Sequence, residues 1–280
     1  MTLTRRQVVE LLERHGLAPS RALGQNFVVD PNTVRRIARL AGVGPGDRVV
    51  EVGAGLGSLT LALAETGAQV TAVEVDRHLL PALREVVEPV GVRVIAGDAM
   101  ALDWDELLGA DPGWALVANL PYNIATPLVA DLLDGVPAIA RMLIMVQREV
   151  GERLVAAAGT PAYGIPSVKV AYWATGRVVG RVPASVFVPV PRVESVLVAL
   201  DRRTAPAVDA DPTKLFALVR TAFGQRRKML RRSLGELVTP EAFTVAGIAP
   251  ESRPEELDIS AWGRLAAAAT SGRGPSGPPP

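Results

Sequence analysis

The sequence predicts an α/β protein: a doubly wound, mostly parallel seven-stranded sheet whose last strand is antiparallel, followed by a small α-helical C-terminal domain. Three observations carry that expectation. Short β-rich runs alternate with helical apolar spacings through the first two hundred residues, the pattern of strand, crossover helix and strand. A glycine-rich turn, VVEVGAGLGSLT, follows the first of those runs. From Asp201 onward the spacing becomes helical and the charge becomes basic.

Taken in order, MTLTRRQVVELLERHG reads as an amphipathic helix, with Val8, Val9, Leu11 and Leu12 set among charges, rather than as a signal peptide. Strands are expected over 48–53, 69–76, 92–98, 115–120 and 142–147, and helices over 59–66, 79–87, 124–133 and 149–158. Runs 178–182 and 193–200 complete the sheet as an antiparallel edge, with the proline-rich FVPVPRVES between them. The linker TAPAVDADPT then leads into KLFALVRTAF and QRRKMLRRSLGEL, both read as helical. The expected domains are therefore a sheet domain over 1–200, a helical domain over 201–265 and a disordered tail over 266–280, because SGRGPSGPPP cannot build a core.

Composition narrows the chemistry. The chain has 280 residues, 49% of them apolar, and no run long enough to cross a bilayer, so a folded protein of the cytoplasm is expected. Cysteine is absent and His15 and His78 are the only imidazoles, which removes disulfides, thiolate metal sites and cysteine nucleophiles, and no metal is expected. Lys and Arg number 30 against 29 Asp and Glu, so the whole-molecule field decides nothing about nucleic acid. The distribution is more informative: Arg220, Arg226, Arg227, Lys228, Arg231 and Arg232 lie in one interval without an acid.

Gly53, Gly55 and Gly57 place a turn between strand and helix where backbone can approach a ligand unobstructed. Alone, such a turn is also a plain tight connection. Glu74 ends the second strand about twenty residues on, where a carboxylate can accept both ribose hydroxyls of a nucleoside. The third glycine departs from the G-x-G-x-x-G spacing, and Glu51 immediately precedes the turn, where it would repel a pyrophosphate and attract a cation. S-adenosylmethionine, with a sulfonium and an ammonium, fits that charge. Asp98 closes the third strand and reads either as a helix cap or as a partner for adenine's exocyclic amine, whereas Asp76 reads as a helix cap.

VANLPYNIATP ends the fourth strand. Pro121 fixes its own backbone and biases Leu120 toward an extended conformation, so the Leu120 carbonyl can stand beside the Asn119 amide oxygen. Two acceptors pointing one way suit a primary aromatic amine such as adenine N6. Accepting its two N–H bonds favours pyramidalisation and aims the lone pair at a sulfonium methyl, with no strong base required. Tyr122 offers a flat face for a base taken out of its helix, stacking worth roughly 1–3 kcal/mol. An isolated N-x-P-Y is equally a strand-ending proline turn with a buried tyrosine.

EVGAGLG, VEVD, GDAM and NLPY occur in the order and spacing of the class I, Rossmann-like methyltransferases that act on adenine N6. With LGQNF, QREV, FVPVPRVES and FGQRRK they resemble the small-subunit (16S) rRNA adenine N6,N6-dimethyltransferase family over roughly residues 20 to 262. The resemblance makes 1–200 the catalytic domain and 201–265 an RNA- and ribosome-binding domain. It implies S-adenosylmethionine as donor, S-adenosylhomocysteine as product, and 16S rRNA in an immature 30S subunit as partner, with the enzyme acting as a monomer. Asn26 and the Val28 backbone are implied at the methionine end of the cofactor, Gly53 beneath it, Glu74 at its ribose and Asp98 at its adenine; Gln25, Gly55, Val75 and Ala99 complete that set. Asn119, Leu120, Pro121 and Tyr122 are implied at the target, with Phe187 opposite Tyr122. Without the family, Phe187 reads as a buried hydrophobe. Dimethylation rests on the resemblance, since spacing does not reveal pocket width.

The basic segment reads as RNA contacts from Arg220, Arg226, Arg227, Lys228 and Arg231, or as a solvated face; the absence of intervening acids favours RNA. Arg148 is the candidate from QREVGERL, whose Glu149 and Arg153 make a helical i,i+4 pair. A macrolide-resistance-type methyltransferase of 23S rRNA would share every catalytic motif. A non-catalytic checkpoint factor of 30S assembly is the alternative from another class. DNA adenine methyltransferases fit less well, since those more often carry Asp/Asn-Pro-Pro-Tyr.

Overall fold

The computed structural model describes residues 2–20, 22–121 and 124–271. The chain divides into two compact units, one comprising 1–151 and 176–202, the other 152–175 and 203–280. The sequence break expected at residue 200 lies close to the second division, but the helical unit also claims 152–175.

In the first unit α1 (Arg5–Arg14) starts from a capping box between Thr4 and Gln7 and buries Val8, Leu11 and Leu12, leaving Val9 exposed. There follow β1 (Phe27–Val28), α2 (Pro31–Ala41), β2 (Arg48–Val52), α3 (Ser58–Ala64), β3 (Gln69–Glu74), α4 (Leu80–Val87), β4 (Arg93–Ala96), α5 (Trp104–Leu108), β5 (Trp114–Asn119), α6 (Ala125–Gly135), β6 (Ile139–Gln147) and α7 (Arg148–Leu154). The second unit takes up the chain within α7, forms α8 (Ile165–Trp173), and returns it within β7 (Ala174–Val182), which leads to β8 (Phe187–Val188) and β9 (Ser195–Arg202). Asp76 is not a helix cap: α4 starts after Leu79, and the Asp76 carboxylate closes the preceding turn on the His78 amide.

The sheet has seven strands in the order β4-β3-β2-β5-β6-β9-β7, parallel from β4 to β6, with β9 antiparallel to β6. The final two strands do not form the edge in chain order; β9 inserts between β6 and β7. Burial explains the exchange, because β9 is nearly continuously buried whereas β7 is largely exposed and suits an edge. A second, two-stranded sheet that the sequence reading did not anticipate pairs β1 with β8, Val28 opposite Phe187. From β2 the chain steps to β3 and β4 on one side and to β5 and β6 on the other. The carboxyl ends of β2 and β5 therefore flank the switch point where open α/β sheets bind ligands.

The second unit adds α9 (Pro212–Gly224), α10 (Leu230–Ser233), α11 (Pro240–Ala246) and α12 (Ile259–Ser271). Its core gathers Tyr172, Phe216, Phe243 and Trp262, and α8 belongs there because Val168 and Tyr172 are buried in it. Tyr163 and Tyr172 donate to the Leu257 and Ala210 carbonyls at 2.9 and 2.7 Å, tying the two stretches of this unit together. Two expectations are corrected. QRRKMLRRSLGEL is not one helix: α9 stops at Gly224, a turn follows, and the four residues of α10 are pinned by Leu230 and Arg231 amides donating to Ser252 and Pro250. The tail does not begin at 266, because the alanine-rich end of α12 continues the helix and buries Ala266 and Ala268; residues 272–280 lie outside those described.

Candidate active site

The glycine turn, the ends of β3, β4 and β5 and the segment before β1 enclose one cavity. Every expected cofactor residue lines it: Gln25, Asn26, Val28, Gly53, Gly55, Glu74, Val75, Asp98, Ala99 and Asn119; so do Leu120 and Pro121. Gly53, Gly55 and Gly57 all have positive φ, of 73°, 59° and 87°. A Cβ on Gly55 would stand 3.1 Å from the Phe27 ring, so the bare backbone is what leaves that wall open.

Glu74 is 5% exposed, and each of its oxygens accepts a backbone amide: Oε2 from Gly55 at 2.7 Å, Oε1 from Asp76 at 2.9 Å. The carboxylate thus closes the glycine turn and still keeps lone pairs for a ribose. Burial raises its pKa, against those amide bonds and with Asp76 adding repulsion. Asp98 is not a helix cap, since Asp103 caps α5; its Oδ1 closes a turn on the Met100 amide at 2.9 Å while the residue remains exposed on the cavity wall.

Glu51 is 1% exposed and is pushed up to about 8, first by burial, with Thr60 pulling it down and Glu74 adding repulsion. Its Oε2 and the Ser58 hydroxyl are buried without hydrogen-bond partners, and both residues line the cavity. Unsatisfied buried oxygens on a ligand wall call for a ligand rich in donors. S-adenosylmethionine fits: its ammonium and hydroxyls donate, and its positive charge favours the ionised form of the buried Glu51 carboxyl.

At the fourth strand's end, Asn119 Nδ2 donates to the Asn26 carbonyl at 3.0 Å, which leaves Oδ1 as the acceptor of that amide. The Pro121 carbonyl accepts the Ile124 and Ala125 amides and so starts α6; neither amide reaches the Leu120 carbonyl. Tyr122 lies outside the described residues. Phe187 is 0% exposed, is not on the cavity wall, and packs in the sheet core with Val28 and Leu197, as its reading as a buried hydrophobe has it. In register with it on β1 is Val28, which does line the cavity.

The basic candidates separate into paired and open. Arg226 is half-buried, donates to the Pro161 carbonyl at 3.1 Å and lies 3.7 Å from Glu255; Arg231 pairs with Glu251 at 2.9 Å. Acids that are absent from the interval in sequence therefore reach it in space. Arg220, Arg227 and Lys228 are exposed. In the first unit Arg148 is exposed and faces Glu194 at 3.6 Å. What sequence reasoning missed is Ser58 on the wall, the Asn26 carbonyl as partner of Asn119, and the link from Gln25 to Asp76; only the proximity of these motifs in the fold reveals them.

A glycine cradle, buried acids at successive strand ends and an amide acceptor at the switch point of this sheet define a class I methyltransferase that uses S-adenosylmethionine. Known proteins agree and narrow the class. Residues 18–270 match the family model described as ribosomal RNA adenine dimethylase, and the chain belongs to that family. It is 46% identical over 287 residues to the ribosomal RNA small subunit methyltransferase A of Kineococcus radiotolerans, covering 99% of this chain and 95% of that one. The protein of that name from Thermobifida fusca is 48% identical over 275 residues, covering 94% and 95%. Among solved structures, a dimethyladenosine transferase from Plasmodium falciparum shares the fold at a TM-score of 0.71 and 23% identity, over 86% of this chain and 96% of that one. The 23S rRNA methyltransferase ErmE is similar at 0.64 and 26% identity, over 88% and 100%. The chain is an rRNA methyltransferase.

Proposed function

We propose that this enzyme dimethylates N6 of two adjacent adenosines in the 3′-terminal hairpin loop of 16S rRNA during 30S subunit biogenesis, acting in the cytoplasm as a monomer without a metal. The orientation of Asn119 carries the reading: its nitrogen is spent on the Asn26 carbonyl, so an oxygen acceptor is left on the cavity wall next to Leu120. S-adenosylmethionine, when bound, supplies a methyl group on a cationic sulfur. Glu74 holds the ribose, Asp98 and Ala99 face the adenine, and Glu51, Ser58, Asn26 and Val28 enclose the methionine end. Asn119 Oδ1 and the Leu120 carbonyl accept the N–H bonds of the target amine, which localises its lone pair for in-line attack. The proton released needs no strong base, in keeping with an edge built only of neutral acceptors. Tyr122 stacks the extruded base.

The first unit is the catalytic domain, and the second binds RNA through Arg220, Arg227 and Lys228. Relatives at 46% and 48% identity carry the small-subunit name, which supports 16S over 23S rRNA as substrate. Among the described residues no helix is long and apolar enough to cross a membrane, and no group of three His, Asp or Glu is placed to hold a metal ion. The test is transfer of labelled methyl to undermodified 30S subunits, 50S subunits and naked rRNA, with the modified nucleoside identified. N6,N6-dimethyladenosine in 30S is expected. Label confined to 50S would move the enzyme to the 23S reading, and no label in either would refute methyl transfer to rRNA.

A further inference from the structure

Gln25 lies on the cavity wall, yet both ends of its amide are committed to protein. Oε1 accepts the Ser20 amide at 2.7 Å, and Nε2 donates to Asp76 Oδ2 at 2.7 Å. Asp76 is held in turn, its Oδ1 accepting the His78 amide at 3.0 Å and its own amide donating to Glu74 Oε1 at 2.9 Å. Glu74 Oε2 accepts the Gly55 amide at 2.7 Å. A single file of hydrogen bonds therefore runs from Ser20 and Gln25 through two acids into the glycine turn. One residue beyond Gln25, the Asn26 carbonyl accepts the Asn119 side-chain nitrogen at 3.0 Å. The amide at the reacting edge is thus turned by a carbonyl whose neighbour grips Asp76.

That grip matters because an asparagine amide has two orientations of nearly equal shape and opposite polarity. Rotated half a turn, Asn119 would present Nδ2 where an N–H must be accepted, a donor facing a donor. The Asn26 carbonyl selects the productive orientation only while segment 25–28 holds its place. Besides β1 pairing with β8, the Gln25–Asp76 bond fixes that segment against the strand-end acids.

We propose that Gln25 is a positioning residue for methyl transfer: latched to Asp76, it places the Asn26 carbonyl, which sets the Asn119 amide with its oxygen toward the target amine. The proposal rests on the reading of Asn119 given above. It goes beyond a role for Gln25 as a cofactor ligand, because each end of the amide already holds a protein partner whatever its remaining N–H and lone pair contact.

The test exchanges the polarity of the latch. Gln25→Glu alone sets a carboxylate against the Asp76 carboxylate and opens it. In the double variant Gln25→Glu/Asp76→Asn the new carboxylate accepts both the Ser20 amide and the Asn nitrogen, the Asn oxygen still accepts the His78 amide, and the net charge equals that of the wild type. Turnover of undermodified 30S is measured at saturating S-adenosylmethionine, together with KM for the subunit and donor affinity by equilibrium dialysis, with Asn119→Ala alongside. Gln25→Glu should lower kcat about tenfold or more while KM for the subunit holds, and the double variant should recover kcat to within about threefold of wild type. A latch that only stabilises the fold would weaken donor affinity or lower Tm and leave kcat at saturation intact. That result, or a double variant no faster than Gln25→Glu, overturns the proposal. Full turnover in Asn119→Ala overturns the reading of Asn119 instead, whatever the latch variants do.

Discussion

Glu51 shows how burial is set against ligand chemistry in a single residue. Its carboxyl, beneath the glycine turn, stays protonated to about 8 because water does not reach it, whereas in the unfolded chain it ionises near its ordinary 4.5. Between those values the folded protein holds a proton that the unfolded chain has released. Its contribution to stability therefore falls as pH rises through the window and levels off above about 8. Each pKa unit corresponds to about 1.4 kcal/mol, so the loss across the window is on the order of a few kcal/mol. Glu51→Gln cannot ionise and should lack this slope. Urea unfolding at pH values spanning the window should show the variant gaining on the wild type as pH rises. Parallel curves for the two proteins would mean that Glu51 ionises freely in the fold.

At the scale of elements, α6 follows the Asn119–Pro121 edge of the cavity and is closed at its end by an arginine from a strand. Arg202, the last residue of β9, donates from Nη2 to the Leu132 and Val136 carbonyls at 2.8 and 3.1 Å, from Nη1 to Leu133 at 2.9 Å and from Nε to Ile139 at 2.8 Å. A helix C-terminus leaves carbonyls short of partners, and this half-buried guanidinium supplies one to Leu133 and a second to Leu132 and Val136, which already accept the Val136 and Ile139 amides. Arg202→Met keeps the stem and removes the fork, and should cost about 2–4 kcal/mol in urea unfolding; Arg202→Lys should recover only part, since one ammonium cannot span four carbonyls. None of this was legible in the sequence, where Arg202 is one of many arginines. Strand and helix periods were legible, because apolar spacing is a local consequence of the fold, and every strand expected in the first two hundred residues is present with its ends displaced by a few residues. Strand order was not: nothing local to 193–200 reveals that β9 enters between two strands. The cavity lining was legible for the complementary reason, that strand ends in a doubly wound sheet converge wherever the crossovers place them. The burial of Phe187 was not legible because it depends on pairing with β1, nor was the bond from Gln25 to Asp76, whose partners lie fifty-one residues apart.

For the molecule as a whole the question is how a chain of net charge +1 holds polyanionic RNA. Counting cations along the sequence overstates the answer, because folding returns Glu251 and Glu255 to Arg231 and Arg226, while Arg220, Arg227 and Lys228 stay exposed. An exposed cation that meets a phosphate releases a condensed counterion, and each such contact adds about 0.7–0.9 to the slope of log affinity against log salt. An arginine already neutralised by a carboxylate must first give up its partner and contributes less. Filter binding of rRNA across a salt series should therefore divide the arginines into two groups. Arg227→Gln/Lys228→Gln should flatten the slope by about two, and Arg220→Gln by about one. Arg226→Gln and Arg231→Gln should leave it nearly unchanged, with Arg226→Gln showing its effect in unfolding instead, through the lost bond to Pro161. If all five positions moved the slope alike, the ion pairs would have to open on RNA, and the second unit would bind through the whole basic segment rather than through Arg220, Arg227 and Lys228.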